Sequence, residues 1–112
     1  MIYSLKTYTA TNGNYDALVK RFSEKTLPIF KRIGIHVLYC WESQDTPNTF
    51  YYLTQYENES ENESRWNAFA KDEEWIQVKK LSEQQAGGPL LASQSSLTFK
   101  SLPFSRTTQN LS

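Results

Sequence analysis

The sequence has very few of the residues from which catalytic or metal sites are usually assembled. It contains one cysteine and one histidine in 112 residues. Cys40 alone can form neither an internal disulfide nor a cysteine cage for a metal ion, and we expect a buried, inert thiol in mid-strand. His36 could act as a general base, although a strand-end histidine without a special role is the simpler interpretation. We therefore predict no metal site and no cofactor.

An excess of charge of one sign is also missing. Twelve basic and twelve acidic side chains give a formal net charge of zero. Because nucleic-acid binding requires a basic face, we predict no nucleic-acid partner. Three adjacent basic pairs are interpreted as solvated faces of helices: Lys20-Arg21, Lys31-Arg32 and Lys79-Lys80.

Long apolar runs and recognised catalytic motifs are absent as well. No run approaches the length of a membrane span, and the first residues carry neither the basic nor the apolar segment of a signal peptide, so we expect a cytoplasmic protein without a membrane span. The sequence contains no Gly-rich phosphate loop and no nucleophilic triad pattern. Gly87-Gly88 is interpreted as the end of a helix.

What the sequence does have is an aromatic-rich central stretch, residues 35–56. Two apolar runs, Ile35–Trp41 and Phe50–Tyr56, flank the polar segment Glu42–Thr49, which is the pattern of a β-hairpin. Neither run alternates cleanly between apolar and polar residues. A strand with one solvated face should alternate, so both faces of these strands are predicted to be covered.

Strand and helix signals surround this hairpin on both sides. Residues 1–9 predict a strand. The following helix has its apolar stripe from Tyr15 to Ile33, should be interrupted at Pro28, and should end at Gly34.

After the hairpin, Ser60 and Glu63 predict a capping box at the start of a helix. Asp72 is predicted to cap a second helical segment, which should end at Gly87. Leu97–Leu102 then predicts a short last strand.

The resulting order, β-α-β-β-α-β, predicts an α+β, ferredoxin-like domain over residues 1–104, with residues 105–112 as a disordered tail. Its four-stranded antiparallel sheet should carry both helical segments on one face, because each crossover is right-handed. The other face would expose about 600 Å² of aromatic surface, which is near the limit for a monomer. We therefore predict a homodimer that forms through this face.

Several segments together resemble the NIPSNAP family over nearly the whole chain, to about Ser105. They are MIYSLKTYT, LPIFKRIGI, Arg65-Trp66 with Phe69, Asp72 and Trp75 at matching spacing, and the closing PFS. The resemblance implies a dimeric α+β barrel, in which two ferredoxin-like sheets pack face to face. The first strand departs from the family pattern Tyr-Glu-Leu-Arg-Thr-Tyr: Ser4 replaces the glutamate, and Lys6 keeps only the positive charge of the arginine.

The resemblance also implies a candidate ligand pocket between sheet and helices, since related barrels hold ligands there. Its candidate residues are Lys6, Tyr8, Arg65, Trp66 and His36, and a small aromatic molecule is the expected ligand. Core packing is the alternative role of Trp66. We expect a binding or interaction module, and the alternative is cofactor-independent monooxygenation of an aromatic or quinol-like substrate, by analogy with sister barrel families.

Overall fold

A computed structural model describes residues 1–105, and its elements follow the predicted order. The strands are β1 (Ile2–Ala10), β2 (His36–Glu42), β3 (Thr49–Tyr56) and β4 (Leu91–Lys100). The helices are α1 (Tyr15–Arg21), α2 (Leu27–Ile33), α3 (Glu59–Lys71) and α4 (Glu73–Ala86), and a π-helical segment, Phe22–Thr26, joins α1 to α2. Apart from Ser105, the predicted tail at 105–112 lies outside the described residues.

The four strands form one antiparallel sheet in the order β2-β3-β1-β4. Lys6 in the middle of β1 lies opposite Tyr52 of β3 and Ser96 of β4. Both helical segments pack on the face that carries Tyr52 and Phe50, where the hydrophobic core forms. The ferredoxin-like α+β fold predicted from the sequence is therefore confirmed.

The opposite surface of the sheet, which we call the outer face, has no cover from residues 1–105. Alternation along the strands places His36, Tyr39 and Trp41 of β2 on this face, because their partners on β3 have the parity that points away from the helices. The apolar side chains of the outer face are Tyr3, Leu5, Tyr39, Trp41, Tyr51, Leu53, Leu97 and Phe99.

The interruption predicted at Pro28 takes the form of the π-helical segment. In a regular α-helix, the proline ring would clash with the carbonyl four residues back. Here the N–H of Leu27 donates to the carbonyl of Phe22, five residues back, so the helix is widened just before Pro28. Gly34 then ends α2 with φ 101°, as predicted.

The helices after the hairpin begin and end at short-range caps, one of which was predicted at the wrong residue. Asn58, and not Ser60, caps α3, because its side chain accepts a hydrogen bond from the N–H of Glu61. Asp72 caps α4 by accepting from the N–H of Trp75, and Gly87 ends α4 in the left-handed conformation, both as predicted. None of the helices within residues 1–105 has the length and hydropathy of a membrane span.

Two further predictions are corrected at the edges of the sheet. β4 begins at Leu91, six residues before the predicted start, because its ladder with β1 continues through small polar residues that carry little strand signal. Cys40 is exposed on the edge strand β2, where the helical layer does not cover it. Partial desolvation still raises the pKa of its thiol, so the protonated form dominates at neutral pH.

Candidate functional site

Lys6 lies on the helix-facing side of β1, with its ammonium group against an aromatic ring. Its Nζ lies 4.4 Å from the ring centroid of Trp66 on α3, a cation–π geometry. Burial lowers the pKa of Lys6, and the nearby carboxylate of Glu59 opposes that shift. The site therefore holds a half-buried lysine whose charge is balanced by an indole ring and one acidic side chain.

Trp66 is fixed in place by a hydrogen bond and by edge contacts with other rings. Its Nε1–H donates to the hydroxyl of Tyr56 at 2.6 Å. Its ring meets Phe30 edge-on at 5.3 Å and Phe69 edge-on at 5.7 Å between centroids. Trp66 therefore belongs to the core packing and at the same time forms the surface on which Lys6 rests.

Tyr8 faces the same side of β1, two residues beyond Lys6. Its hydroxyl accepts a hydrogen bond from the hydroxyl of Tyr52 at 2.8 Å, and its ring contacts Phe22 and Phe50 edge-on. Burial raises the pKa of Tyr8 and raises that of Tyr52 well above its ordinary value. Both phenols are therefore protonated at neutral pH and can act as hydrogen-bond donors or acceptors only.

Arg65 belongs to α3, and its side chain lies beside Gly34, the residue that ends α2. A Cβ atom added at Gly34 would lie 3.2 Å from the Cζ and Nε atoms of Arg65. Glycine at this position therefore permits both the positive φ and the close approach of the guanidinium. The Nε of Arg65 is buried and has no hydrogen-bond partner within the described part of the chain.

His36 lies on the outer face, opposite Gln55, and is exposed. The five predicted residues are therefore not brought together. Lys6, Tyr8 and Trp66 share one side of the sheet, whereas Arg65 contacts Gly34, and His36 points the other way.

The sequence interpretation missed several polar groups of this region. Tyr52 and Tyr56 supply the hydroxyls that hold Tyr8 and Trp66, and the buried hydroxyl of Ser4 has no partner among residues 1–105. Pairing β1 with β3 would have identified the two tyrosines, because they share the β3 parity of Phe50. No sequence signal indicates that the Ser4 hydroxyl lacks a partner.

Two grooves among residues 1–105 lie along α4, away from the candidate residues. Neither is lined by Lys6, Tyr8 or Trp66. Within residues 1–105, no three His, Cys, Asp or Glu side chains cluster so as to hold a metal ion. The chemistry that remains is that of a desolvated lysine beside aromatic rings and phenol hydroxyls.

Two of the segments that carry the family resemblance contact each other. Phe30 of LPIFKRIGI meets both Trp66 and Phe69, and Arg32 forms a salt bridge with Asp72 at 2.8 Å. These segments dock α2 onto α3 and α4, so their spacing has a structural explanation that requires no catalytic role.

Comparison with known proteins supports the same fold and identifies a family. The NIPSNAP family model matches residues 3–106. An uncharacterised NIPSNAP domain protein from Burkholderia xenovorans superposes with a TM-score of 0.79 at 19% identity, over 96% of this chain and 100% of that one. A NIPSNAP family protein of unknown function from Agrobacterium tumefaciens gives 0.77 at 19% identity, over 94% and 91%.

A structure described as an antibiotic biosynthesis monooxygenase is also similar, with a TM-score of 0.63 at 9% identity, over 92% of this chain and 100% of that one. At these identities the solved structures show the fold alone. No match is found among the curated proteins.

Proposed function

This chain belongs to the NIPSNAP family, and we propose that it is a homodimeric binding module built as a dimeric α+β barrel. The observation that carries the proposal is the outer face of the sheet. Tyr39, Trp41, Leu97 and Phe99 are exposed there, on two strands at opposite edges. An apolar surface that spans a whole sheet is typical of a protein interface.

The alternation along β4 supports the same interface. On its helix-facing side β4 carries Gln94, Ser96 and Thr98, and on the outer face it carries Leu97 and Phe99. All of these residues are exposed in the single chain. A strand whose polar side faces the helical layer and whose apolar side faces solvent is consistent with burial of the outer face by a second copy.

The dimensions of the sheet are adequate for a stable dimer. Its strands are 7 to 10 residues long, and four of them at normal spacing cover on the order of 500 Å² in projection. The accessible surface of projecting side chains is larger than that, and a stable interface buries about 800 Å² per partner. Because a two-fold interface uses the same patch twice, the outer face would meet itself.

Light scattering on the purified protein at micromolar concentration tests the dimer. We expect twice the mass of one 13.0 kDa chain. A mass of one chain across the concentration range would contradict the proposal. Native mass spectrometry of freshly purified protein tests the binding role, and we expect a small molecule or a stoichiometric protein partner to accompany the dimer.

A second candidate function is oxidation of an aromatic or quinol-like substrate without a cofactor. The observation that favours it is the desolvated Lys6 against Trp66, since burial lowers the pKa of Lys6 toward that of a usable base. The structural similarity to a protein described as an antibiotic biosynthesis monooxygenase points the same way. Lys6 would remove a proton from the substrate and stabilise the resulting anion.

Dioxygen would be the oxidant in this reaction, with one oxygen atom entering the product as a carbonyl and the other leaving as water. Oxygen uptake with anthrones and quinols tests it, and Lys6→Met should abolish any uptake. Substrate-dependent uptake that survives in Lys6→Met would contradict the role of Lys6, and no uptake by the wild-type protein would leave the non-catalytic binding module as the better account.

A further inference from the structure

Arg21, the last residue of α1, is buried without a salt-bridged acidic partner among residues 1–105. It is 7% exposed, although the sequence predicted it as part of a solvated basic pair. Its Nη1 donates to the hydroxyl of Ser82 at 3.0 Å, and its Cζ lies 5.1 Å from the ring centroid of Trp75. No carboxylate forms a salt bridge with it within residues 1–105. The partners of this buried cation are thus a hydroxyl and an aromatic ring.

Burying a guanidinium among neutral partners is costly. A charge removed from water costs several kcal/mol unless a counter-charge and hydrogen bonds replace the water. Burial lowers the pKa of Arg21, and the more distant Glu83 and the neighbouring Tyr8 oppose that shift only in part. Of its five N–H donors, one is used by Ser82. The group is therefore suited to receive an anion from outside the chain.

The anion would enter through a groove of about 860 Å³ between α1, the π-helical segment and α4, which Arg21 lines. This volume lies within the range of small-molecule sites. Part of its wall is apolar, and Leu81 is 58% exposed there, which is unusual for a leucine on an otherwise polar helix. Three further cations line the groove: Lys20, Lys25 and Lys80.

The helix geometry at this point also marks the groove. The π-helical segment starts immediately after Arg21, and the hydroxyl of Thr26 donates to the Arg21 carbonyl at 3.3 Å across the widened turn. Single π-helical turns are frequently found at functional sites. Pro28 alone would explain a widened turn, but it does not explain a buried cation beside that turn.

We propose that this groove binds a small amphipathic monocarboxylate, whose carboxylate pairs with Arg21 and whose apolar chain lies along Val78 and Leu81. A planar guanidinium matches the two oxygens of a carboxylate. Glu24 and Glu74 also line the groove and offset two of its four positive charges, which leaves a net positive charge that favours an anionic ligand. This site makes the proposed binding role specific, and it does not depend on the dimer, because the groove lies in the helical layer.

Titration calorimetry with decanoate, decanol and decyltrimethylammonium tests the site. We expect decanoate to bind at least about ten-fold more tightly than decanol, since hydrogen bonds to a charged group contribute about 1.5–3 kcal/mol, and the cationic amphiphile not to bind. Arg21→Gln should remove that advantage. Leu81→Glu should weaken decanoate binding by a similar factor, and it should fold normally because Leu81 is largely exposed.

Lys31→Gln is the matched control, because Lys31 is an exposed cation on α2 that does not line the groove. Its decanoate affinity should equal that of the wild type. Equal binding of decanoate and decanol would overturn the proposal, and so would an unchanged decanoate affinity in Leu81→Glu. A third contrary outcome would be that decanoate changes the NMR chemical shifts of backbone amides only on the outer face. If Arg21→Gln does not fold, the decision rests on Leu81→Glu.

Light scattering on the same samples separates this site from the dimer. A monomeric mass with intact decanoate binding would contradict only the dimer. A dimeric mass without decanoate binding would contradict only the groove.

Discussion

The two faces of the sheet have similar aromatic content and opposite surroundings. On the helix-facing side, Tyr52 is 0% and Phe50 is 5% exposed, whereas on the outer face Tyr39 is 61% and Phe99 is 45% exposed. The first pair is covered by α1, α2 and α3, and the second pair has no cover from the part of the chain that the structure describes. The apolar content of a strand therefore indicates how much of its surface must be buried. The helical crossovers between the strands determine which face of the sheet is buried by the same chain.

The polar groups of the two faces differ in the same way. On the helix-facing side, the hydroxyl of Tyr52 donates to that of Tyr8 at 2.8 Å within a shell of rings. On the outer face, Gln55 donates to the hydroxyl of Tyr3 at 3.3 Å, with less protection from water. Hydrogen bonds of the first kind should contribute more to stability, because an unpaired group there could not be solvated.

The largest effect should come from truncating the covered core. Phe30→Ala removes a ring that contacts Trp66, Phe69 and Phe22, and it should lower the free energy of unfolding by about 3–5 kcal/mol in urea titrations. Phe99→Ala makes the same change on the outer face. Its effect should depend on protein concentration, as expected for a residue of the proposed dimer interface, whereas that of Phe30→Ala should not. Equal losses that are independent of concentration would contradict this difference between the faces.

A charge on the outer face should separate the proposed dimer without unfolding the chain. Leu97→Asp should weaken association roughly 100-fold or more, because burial of one leucine contributes about 1.5–3 kcal/mol and a two-fold interface contains the residue twice. Analytical ultracentrifugation measures the change, and circular dichroism checks the fold. Thr98→Asp, on the opposite side of the same strand, is the control and should leave the dimer intact. Equal dissociation by both variants would contradict the assignment of faces.

The sequence did not determine which face of the sheet the helices cover. The order of elements and the ends at Gly34 and Gly87 follow from local signals, and the structure confirms them. Both parities of β2 and β3 are rich in apolar residues, so neither could be assigned to the helices. The early start of β4 at Leu91 depends on pairing with β1, which no local pattern in that segment encodes.

The candidate site was predictable only where strand parity sufficed. Lys6 and Tyr8 share a parity, and the structure places them on the same side with Trp66 near Lys6. His36 was predicted beside them, although the sequence did not show which face of the sheet His36 lies on. The bulge between Val37 and Tyr39 changes the alternation of β2, so the face of each residue cannot be counted from the sequence. The burial of Arg21 was not predicted, because the adjacent Lys20 gives the two residues the pattern of an exposed basic pair. Arg21 nevertheless lies three residues after Leu18, on the apolar stripe of the helix.

A smaller effect should follow from removing one hydroxyl on the covered side. Tyr56→Phe leaves the indole N–H of Trp66 without its partner and should cost about 1–2 kcal/mol. Tyr3→Phe removes the hydroxyl that accepts from Gln55 on the outer face and should cost less than about 0.5 kcal/mol. Urea titrations of both variants at one protein concentration give the comparison. A larger loss in Tyr3→Phe would mean that the outer face is the better covered one.

The smallest effect is the pH dependence contributed by Lys6. Its pKa in the folded protein lies below the ordinary value of 10.5 because burial disfavours the charged form. Between those two values the unfolded chain binds more protons than the folded one, so this lysine makes stability rise as the pH rises through that window. The buried tyrosines have raised pKa values and act with the opposite sign as the pH approaches 10. Only the difference between a variant and the wild type isolates the lysine.

Lys6→Met should therefore abolish the rise in stability that Lys6 contributes as the pH increases toward the ordinary lysine pKa of 10.5. At pH 7 the variant loses the cation–π contact with Trp66, worth about 0.5–1 kcal/mol, and it also loses the cost of burying a charge. The net change there should be below about 1 kcal/mol. Lys31→Met, at an exposed lysine of α2, controls for the loss of one charge. Thermal melts at several pH values give the stability profile of each protein. A Lys6→Met profile parallel to that of the wild type would show that Lys6 is solvated, and that the helix-facing side of β1 is more open than its contacts indicate.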